Sequence, residues 1–229
     1  MRIAYLSLDD DFPPVSQARA DGLLAIGGDV SVEMLLKAYP MGIFPWYNEE
    51  QPVLWWAPHE RCVLFPAMMH CGKNLRRTIR QKRFEIRMDT AFAQVVEGCA
   101  RIGSNRQQGT WINPTLKESL CELHEMGLAH SVEAWMDDSL VGGLYGVSLG
   151  GMFFGESMFA QVSDASKVCL YHLCQWMIQH DMDLIDCQIP NDHLFRLGAQ
   201  VLQPDEFYPF LEESVEKETL EGPWVYDSQ

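Results

Sequence analysis

No segment of this 229-residue chain comes near the roughly 20 consecutive apolar residues that a bilayer-crossing helix needs. The start, Met1-Arg2-Ile3-Ala4-Tyr5-Leu6, runs into Asp9-Asp10-Asp11 and lacks the apolar stretch of a secretory signal. There is no Cys-x-x-Cys pair, and the seven cysteines (62, 71, 99, 121, 169, 174 and 187) are odd in number. Neither a disulfide framework nor a zinc site of familiar spacing is therefore expected. No His/Asp/Glu spacing suggests another metal, and internal repeats and low-complexity linkers are missing as well. Basic residues are scarce, 17 against 32 acids, for a net charge of -15. These absences point to a soluble, cytoplasmic protein with reduced thiols, no membrane association and no metal or cofactor.

What is present starts with a composition that is 47% hydrophobic, enough for one large core or two small ones. The few cations are concentrated: Lys73, Arg76, Arg77, Arg80, Lys82, Arg83 and Arg87 are opposed locally by Glu85 alone. A run of charge is more often a solvated helix face than a binding surface. Here, though, Arg76, Arg80 and Arg83 recur at helical spacing with Lys73 and Arg77 beside them, while Leu75 and Ile79 fall elsewhere on the turn. That stripe is suited to tracking phosphates.

The first sixty residues differ in texture from the rest. Ser31 can cap a short helix over 32–39, which Pro40 and Gly42 end. Ile43-Phe44-Pro45-Trp46-Tyr47 and Leu54-Trp55-Trp56 place three of the seven tryptophans within eleven residues, either as core filling or as an aromatic platform. From about Arg61 strands and helices alternate. A strand over 61–65 precedes the basic helix over 71–83, a strand over 84–88, and helices over 90–100 and from Asn113 to His124. Then comes an antiparallel meander over 130–136, 140–149 and 152–159, with turns at Asp137-Asp138 and Gly150-Gly151. A helix over 165–180 capped by Ser163 or Asp164, a strand over 184–188, a short helix over 192–197, a strand over 200–203 and a helix over 204–220 complete the chain. Meander, crossover helix and strand describe an α+β sheet with a helix packed on it.

Two features carry chemistry. At the end of the apolar run Leu184-Ile185, strand alternation sends Asp186 and Gln188 to one face and Cys187 to the other. An acid beside an amide can hold and deprotonate an amine, and the small thiol between them reads as buried packing rather than as a nucleophile. Glu156 lies in the apolar strand Phe153-Phe154-Gly155-Glu156-Ser157-Met158-Phe159. A buried carboxylate needs a partner, such as Arg106 or Arg196, or a ligand. Gly155 beside it marks a possible close approach of ligand or backbone. His130 and His193 read as core or capping residues.

These segments, taken with Gly22-Leu23-Leu24-Ala25-Ile26-Gly27-Gly28-Asp29, Gly42-Ile43-Phe44-Pro45-Trp46, Gly109-Thr110-Trp111-Ile112, His130-Ser131-Val132-Glu133, Val141-Gly142-Gly143-Leu144-Tyr145-Gly146 and Ala165-Ser166-Lys167, resemble in order the motifs of the leucyl/phenylalanyl-tRNA-protein transferase family. The resemblance covers nearly the whole chain. It implies a small N-terminal domain (1–60) and a GNAT-type domain (61–229) with a mixed sheet and flanking helices. It also implies a monomeric enzyme that moves Leu, Phe or less readily Met from aminoacyl-tRNA to proteins beginning with Arg or Lys, marking them for N-end rule degradation. Asp186 and Gln188 would stand at the reacting amine, with Glu156 holding the 3′ end. Trp46 and Trp111 would lie near the terminal adenosine, and Lys73, Arg76, Arg77, Arg80 and Arg83 on the acceptor stem. Leu144, Phe153, Met158, Leu170, Leu173 and Ile185 would line the aminoacyl pocket. The chain departs from the family pattern where Ala57-Pro58-His59-Glu60-Arg61 replaces Ser-Pro-Asp-Pro-Arg, where Gln203-Pro204 stands in place of a basic residue, and at Leu144 and Leu173, where Met and Phe occur.

Two rival readings meet obstacles in the residues. A coenzyme-A-dependent acyltransferase needs a glycine-rich pyrophosphate loop at a helix start. Ala160-Gln161-Val162-Ser163-Asp164-Ala165 offers no glycine there, and it offers an acid. A module that binds tRNA or basic N-termini without reacting them is opposed by Asp186 and Gln188.

Overall fold

The computed structural model describes residues 3–8, 10–103 and 112–226. In chain order the elements are β1 (Ala4–Leu6), β2 (Leu23–Gly27), α1 (Val32–Ala38), β3 (Phe44–Pro45), β4 (Leu54–Trp56), β5 (Arg61–Leu64), α2 (Lys73–Arg80), β6 (Glu85–Met88) and α3 (Phe92–Gly103). They continue as α4 (Pro114–Glu125), β7 (Ala129–Met136), β8 (Ser139–Leu149), β9 (Met152–Ala160), α5 (Ala165–Gln179), β10 (Leu184–Gln188), α6 (Asp192–Arg196), β11 (Gln200–Leu202) and α7 (Pro204–Val215).

Local chemistry accounts for most of the boundaries. The Ser31 hydroxyl accepts from the Met34 N–H at the start of α1, and the Asn113 side chain accepts from the Leu116 N–H ahead of Pro114 in α4. Asp137 and Asp138 both take left-handed φ values, 49° and 57°, which is the twist a two-residue hairpin turn requires. Three expectations shift. The basic helix is confined to Lys73–Arg80, so Arg83 lies beyond it. Neither Ser163 nor Asp164 caps α5 through its side chain: Asp164 is itself left-handed (φ 70°) and its carboxylate accepts from Lys167 at 2.8 Å. The last helix stops at Val215, and beyond it the Thr219 hydroxyl accepts from the Gly150 N–H at 2.8 Å.

Two sheets result, ordered β1-β2-β4-β3 and β11-β5-β10-β9-β8-β7-β6. The larger is a mixed α+β sheet. The antiparallel meander β7-β8-β9 is followed by the crossover helix α5, and β10 then pairs parallel to β9. Helix α5 packs on one face of the meander, and α3 and α4 pack on the other. The smaller sheet does not keep a core of its own. Trp55, Met34 and Tyr39 pack in one continuous apolar cluster with Val95, Leu116, Phe154 and Phe207 of the larger unit. None of the described helices is long and apolar enough to cross a membrane.

Candidate active site

Pairing between β9 and β10 covers three residues, Leu184 with Met152, Ile185 with Phe153 and Asp186 with Phe154, and beyond it a cavity lies between the two strands. Each strand carries an irregularity at that level. In β9 the register against β8 shifts between Tyr145/Ser157 and Gly146/Gly155, leaving Glu156 as the extra residue. Such bulges re-aim a side chain. Gly146 permits this one, because a Cβ there would run into the Phe154 carbonyl oxygen and the Phe153 ring. Gly155 is not crowded in that way, as a Cβ would sit 3.5 Å from the Asp186 carbonyl oxygen, an ordinary contact.

In β10 the register against β5 shifts between Asp186 and Gln188, and Gln188 adopts φ 56°. A left-handed glutamine is uncommon and needs support. The support is Asp186, whose Oδ1 accepts from the Gln188 backbone N–H at 2.9 Å. Simple alternation therefore fails at this strand end. Cys187 and Gln188 both line the cavity, while Asp186 sits behind the wall with 0% exposure. The Cys187 thiol is pushed well above its ordinary range by the Cys62 hydrogen bond and by burial, which makes it a poor nucleophile.

The partner of Asp186 is a residue that the sequence motifs did not single out. Arg61 Nε donates to Asp186 Oδ1 at 2.8 Å and Nη2 donates to Oδ2 at 2.6 Å. Nη1 donates to the Gly42 carbonyl at 2.8 Å. The guanidinium lies 5.0 Å and 4.9 Å from the centroids of the Phe44 and Phe207 rings. Its one sequence signal was an arginine retained, with Pro58, in an Ala-Pro-His-Glu-Arg segment altered at its three other positions.

Glu156 forms no ion pair with Arg196 among the described residues. Arg106 lies outside the described residues, and Arg196 is exposed on α6. Its partner is Tyr39, whose hydroxyl donates to Glu156 Oε1 at 3.0 Å across 117 residues of sequence. Tyr39 stays protonated, its pKa raised by burial and then by the Glu156 charge. Glu156 is half-buried, yet loss of water pushes its carboxyl up to about 7 against the Tyr39 hydrogen bond.

The cavity measures about 290 Å³, and Leu144, Phe153, Met158, Leu170, Leu173 and Ile185 all line it. A second cavity of about 210 Å³ shares Glu156, Cys187, Gln188 and Asn191 with it and is walled by Trp46. Trp46 is 45% exposed, with its ring 5.8 Å from that of Trp56. Trp55 is fully buried, its Nε1 donating to the Gly27 carbonyl. The aromatic cluster thus divides: Trp55 fills the core, and Trp46 stands open at the wall of the second cavity. Trp111 lies outside the described residues. Lys73, Arg76, Arg77 and Arg80 are all exposed on α2 while Leu75 and Thr78 are buried beneath them, so these four form a cationic stripe; Arg83 is exposed too but lies beyond the helix.

Residues 63–212 match the family model described as leucyl/phenylalanyl-tRNA protein transferase, and residues 28–59 match the model for the N-terminal domain of that transferase. A leucyl/phenylalanyl-tRNA–protein transferase of Desulfatibacillum aliphaticivorans is 49% identical over 95% of this chain and 94% of its own length. Another, of Aromatoleum aromaticum, is 52% identical over 90% of this chain and 87% of its own. The solved structure of L-PGS from Bacillus licheniformis superposes with a TM-score of 0.38 and 11% identity, over 70% of this chain and 51% of that one, a likeness too distant to bear on this protein.

Proposed function

The chain belongs to the leucyl/phenylalanyl-tRNA protein transferase family, and from that premise we propose that it moves Leu, Phe and less readily Met from aminoacyl-tRNA to the α-amine of proteins beginning with Arg or Lys. Such tagging marks its acceptors for N-end rule degradation. The enzyme is taken to act as a cytoplasmic monomer, with residues 1–60 as a domain walling the site and 61–229 as the catalytic domain. One observation carries the reading. The apolar cavity meets a second cavity walled by an exposed tryptophan, and Glu156 and Gln188 stand at their junction. An acyl side chain held in the first and an adenine against Trp46 would bring the ester between those two polar groups.

In this reaction the neutral amine nitrogen attacks the ester carbonyl carbon, the new C–N bond forms, the C–O bond to the terminal ribose breaks, and the proton lost by the nitrogen ends on the departing ribose hydroxyl. A free α-amine has a pKa near ~8 and is mostly protonated at neutral pH, so alignment and removal of a proton are both required. Gln188 aligns the amine through its carboxamide. Asp186 acts from behind, fixing Gln188 through its backbone N–H while Arg61 occupies both carboxylate oxygens. Glu156 holds the donor end. The ester is already activated, and orientation can supply roughly 7–11 kcal/mol, so positioning dominates.

The test is transfer of labelled leucine from leucyl-tRNA to peptides starting with Arg or with Ala. Label on the Arg peptide alone supports the reading. A peptide complex without label supports a binding module, and equal labelling of both peptides removes the proposed acceptor specificity.

A further inference from the structure

The basic helix and the aminoacyl cavity are joined by a groove that the reading above leaves unassigned. It measures about 720 Å³ and is lined by His70, Lys73, Asp164, Lys167, His193 and Arg196. At one end is Lys73, the first residue of α2. At the other is His193, which also lines the aminoacyl cavity. Asp164 is the one acid among the lining residues, and Lys167 Nζ engages its carboxylate at 2.8 Å. Lys73 and Arg196 are exposed and form no ion pair among the described residues. In a chain of net charge -15, cations left uncompensated along one groove make a local positive potential. His193 responds to it: burial first, and then Lys167 and Arg196, lower its pKa. Its imidazole is therefore neutral at physiological pH, able to donate one hydrogen bond and to stack on a base.

We propose that this groove binds the single-stranded 3′ end of the tRNA ahead of its terminal adenosine, with Arg196 and Lys73 on its phosphates and His193 beside the nucleotide that precedes that adenosine. The inference rests on the aminoacyl-tRNA reading. A donor whose acyl group fills the cavity and whose stem lies along α2 must cross the space between them. Single strands are held by cationic grooves that follow the backbone, with ring systems for the bases. The groove supplies both, from residues on α2, α5 and α6, of which Lys167 and Arg196 belong to no site so far described.

Three donors separate this track from the stem contact: leucyl-adenosine, a leucyl-CCA trinucleotide and a leucyl minihelix. Arg196→Glu is expected to lower the ratio of kcat/KM for the trinucleotide to that for the adenosine donor about tenfold, with no further fall at the minihelix. Arg76→Ala with Arg80→Ala is expected to lower kcat/KM only at the minihelix. Removing one cation from a single-strand phosphate should also reduce the slope of log affinity against log salt by about 0.7. Where short donors react too slowly to compare, inhibition of minihelix transfer by deacylated CCA gives the same reading, with an inhibition constant about tenfold weaker in Arg196→Glu. An unchanged ratio and inhibition constant overturn the proposal. So does an equal fall with all three donors, which would show that Arg196 supports the cavity itself. Wild-type protein inert toward all three donors overturns the transferase reading as well.

Discussion

Arg61 and Asp186, 125 residues apart in the chain, meet as a two-point ion pair with side-chain exposures of 1% and 0%. The pair closes a relay in which Gly42 holds the guanidinium, the guanidinium holds the carboxylate, and the carboxylate holds the left-handed backbone of Gln188.

Breaking such a pair on one side leaves a buried charge without a partner. Arg61→Met is expected to cost about 3–5 kcal/mol, read from urea denaturation. The double variant Arg61→Met/Asp186→Leu should cost less than the sum of the two single variants, because no charge is left buried. Single-turnover transfer should nevertheless stay depressed in the double variant, since Gln188 has lost its holder. Recovery of wild-type transfer there would remove the positioning role.

Glu156 gives the site a titration near neutrality. Its pKa of about 7 lies above the ~4.3 of an exposed glutamate, so the folded state favours the protonated form. The stability tied to this group is complete below ~4.3 and is lost as pH rises through about 7. Glu156→Gln should flatten that decline when urea midpoints of variant and wild type are compared between pH 5.5 and 8. The pH profile of single-turnover transfer should lose its inflection near 7 and keep the one set by the amine near ~8.

Leu144, 4% exposed, faces from β8 the apolar cavity proposed to hold the aminoacyl side chain. Leu144→Phe takes volume from that cavity and should penalise the larger donor side chain more. The ratio of kcat/KM for phenylalanyl-tRNA to leucyl-tRNA should fall by about tenfold, within the 10–200-fold range for one methylene-scale change in an apolar pocket. An unchanged ratio would take Leu144 out of side-chain selection.

The exposed stripe on α2 should act through charge alone. Arg76→Ala with Arg80→Ala is expected to weaken binding of tRNA of any sequence and to reduce the salt slope by about 0.9 for each phosphate left without its cation. A slope equal to that of the wild type would mark the stripe as a solvated face.

Patterns repeating every two or four residues, and the residues that punctuate them, were legible in the chain. The meander followed from alternating apolar runs broken at Asp137-Asp138 and Gly150-Gly151, and α1 and α4 from Ser31 and Asn113 at their starts. The Asp186-Cys187-Gln188 segment announced itself by placing polar groups where a core should continue. Its geometry was not legible, because alternation assumes an unbroken ladder and both β9 and β10 break theirs at this level.

By itself, then, the sequence determined the α+β class, the order of elements, the separation of a basic helix from an acidic remainder and, through its run of motifs, the family. Tertiary structure alone decided which partners the polar groups found. It inserted β5 between β10 and β11, so that Arg61 reached Asp186, and folded the N-terminal sheet against the larger one, so that Tyr39 reached Glu156. Local propensity is set by neighbours within a turn or a strand. A buried charge is satisfied instead by whatever long-range packing brings within about 3 Å, and no pattern of nearby residues encodes that meeting.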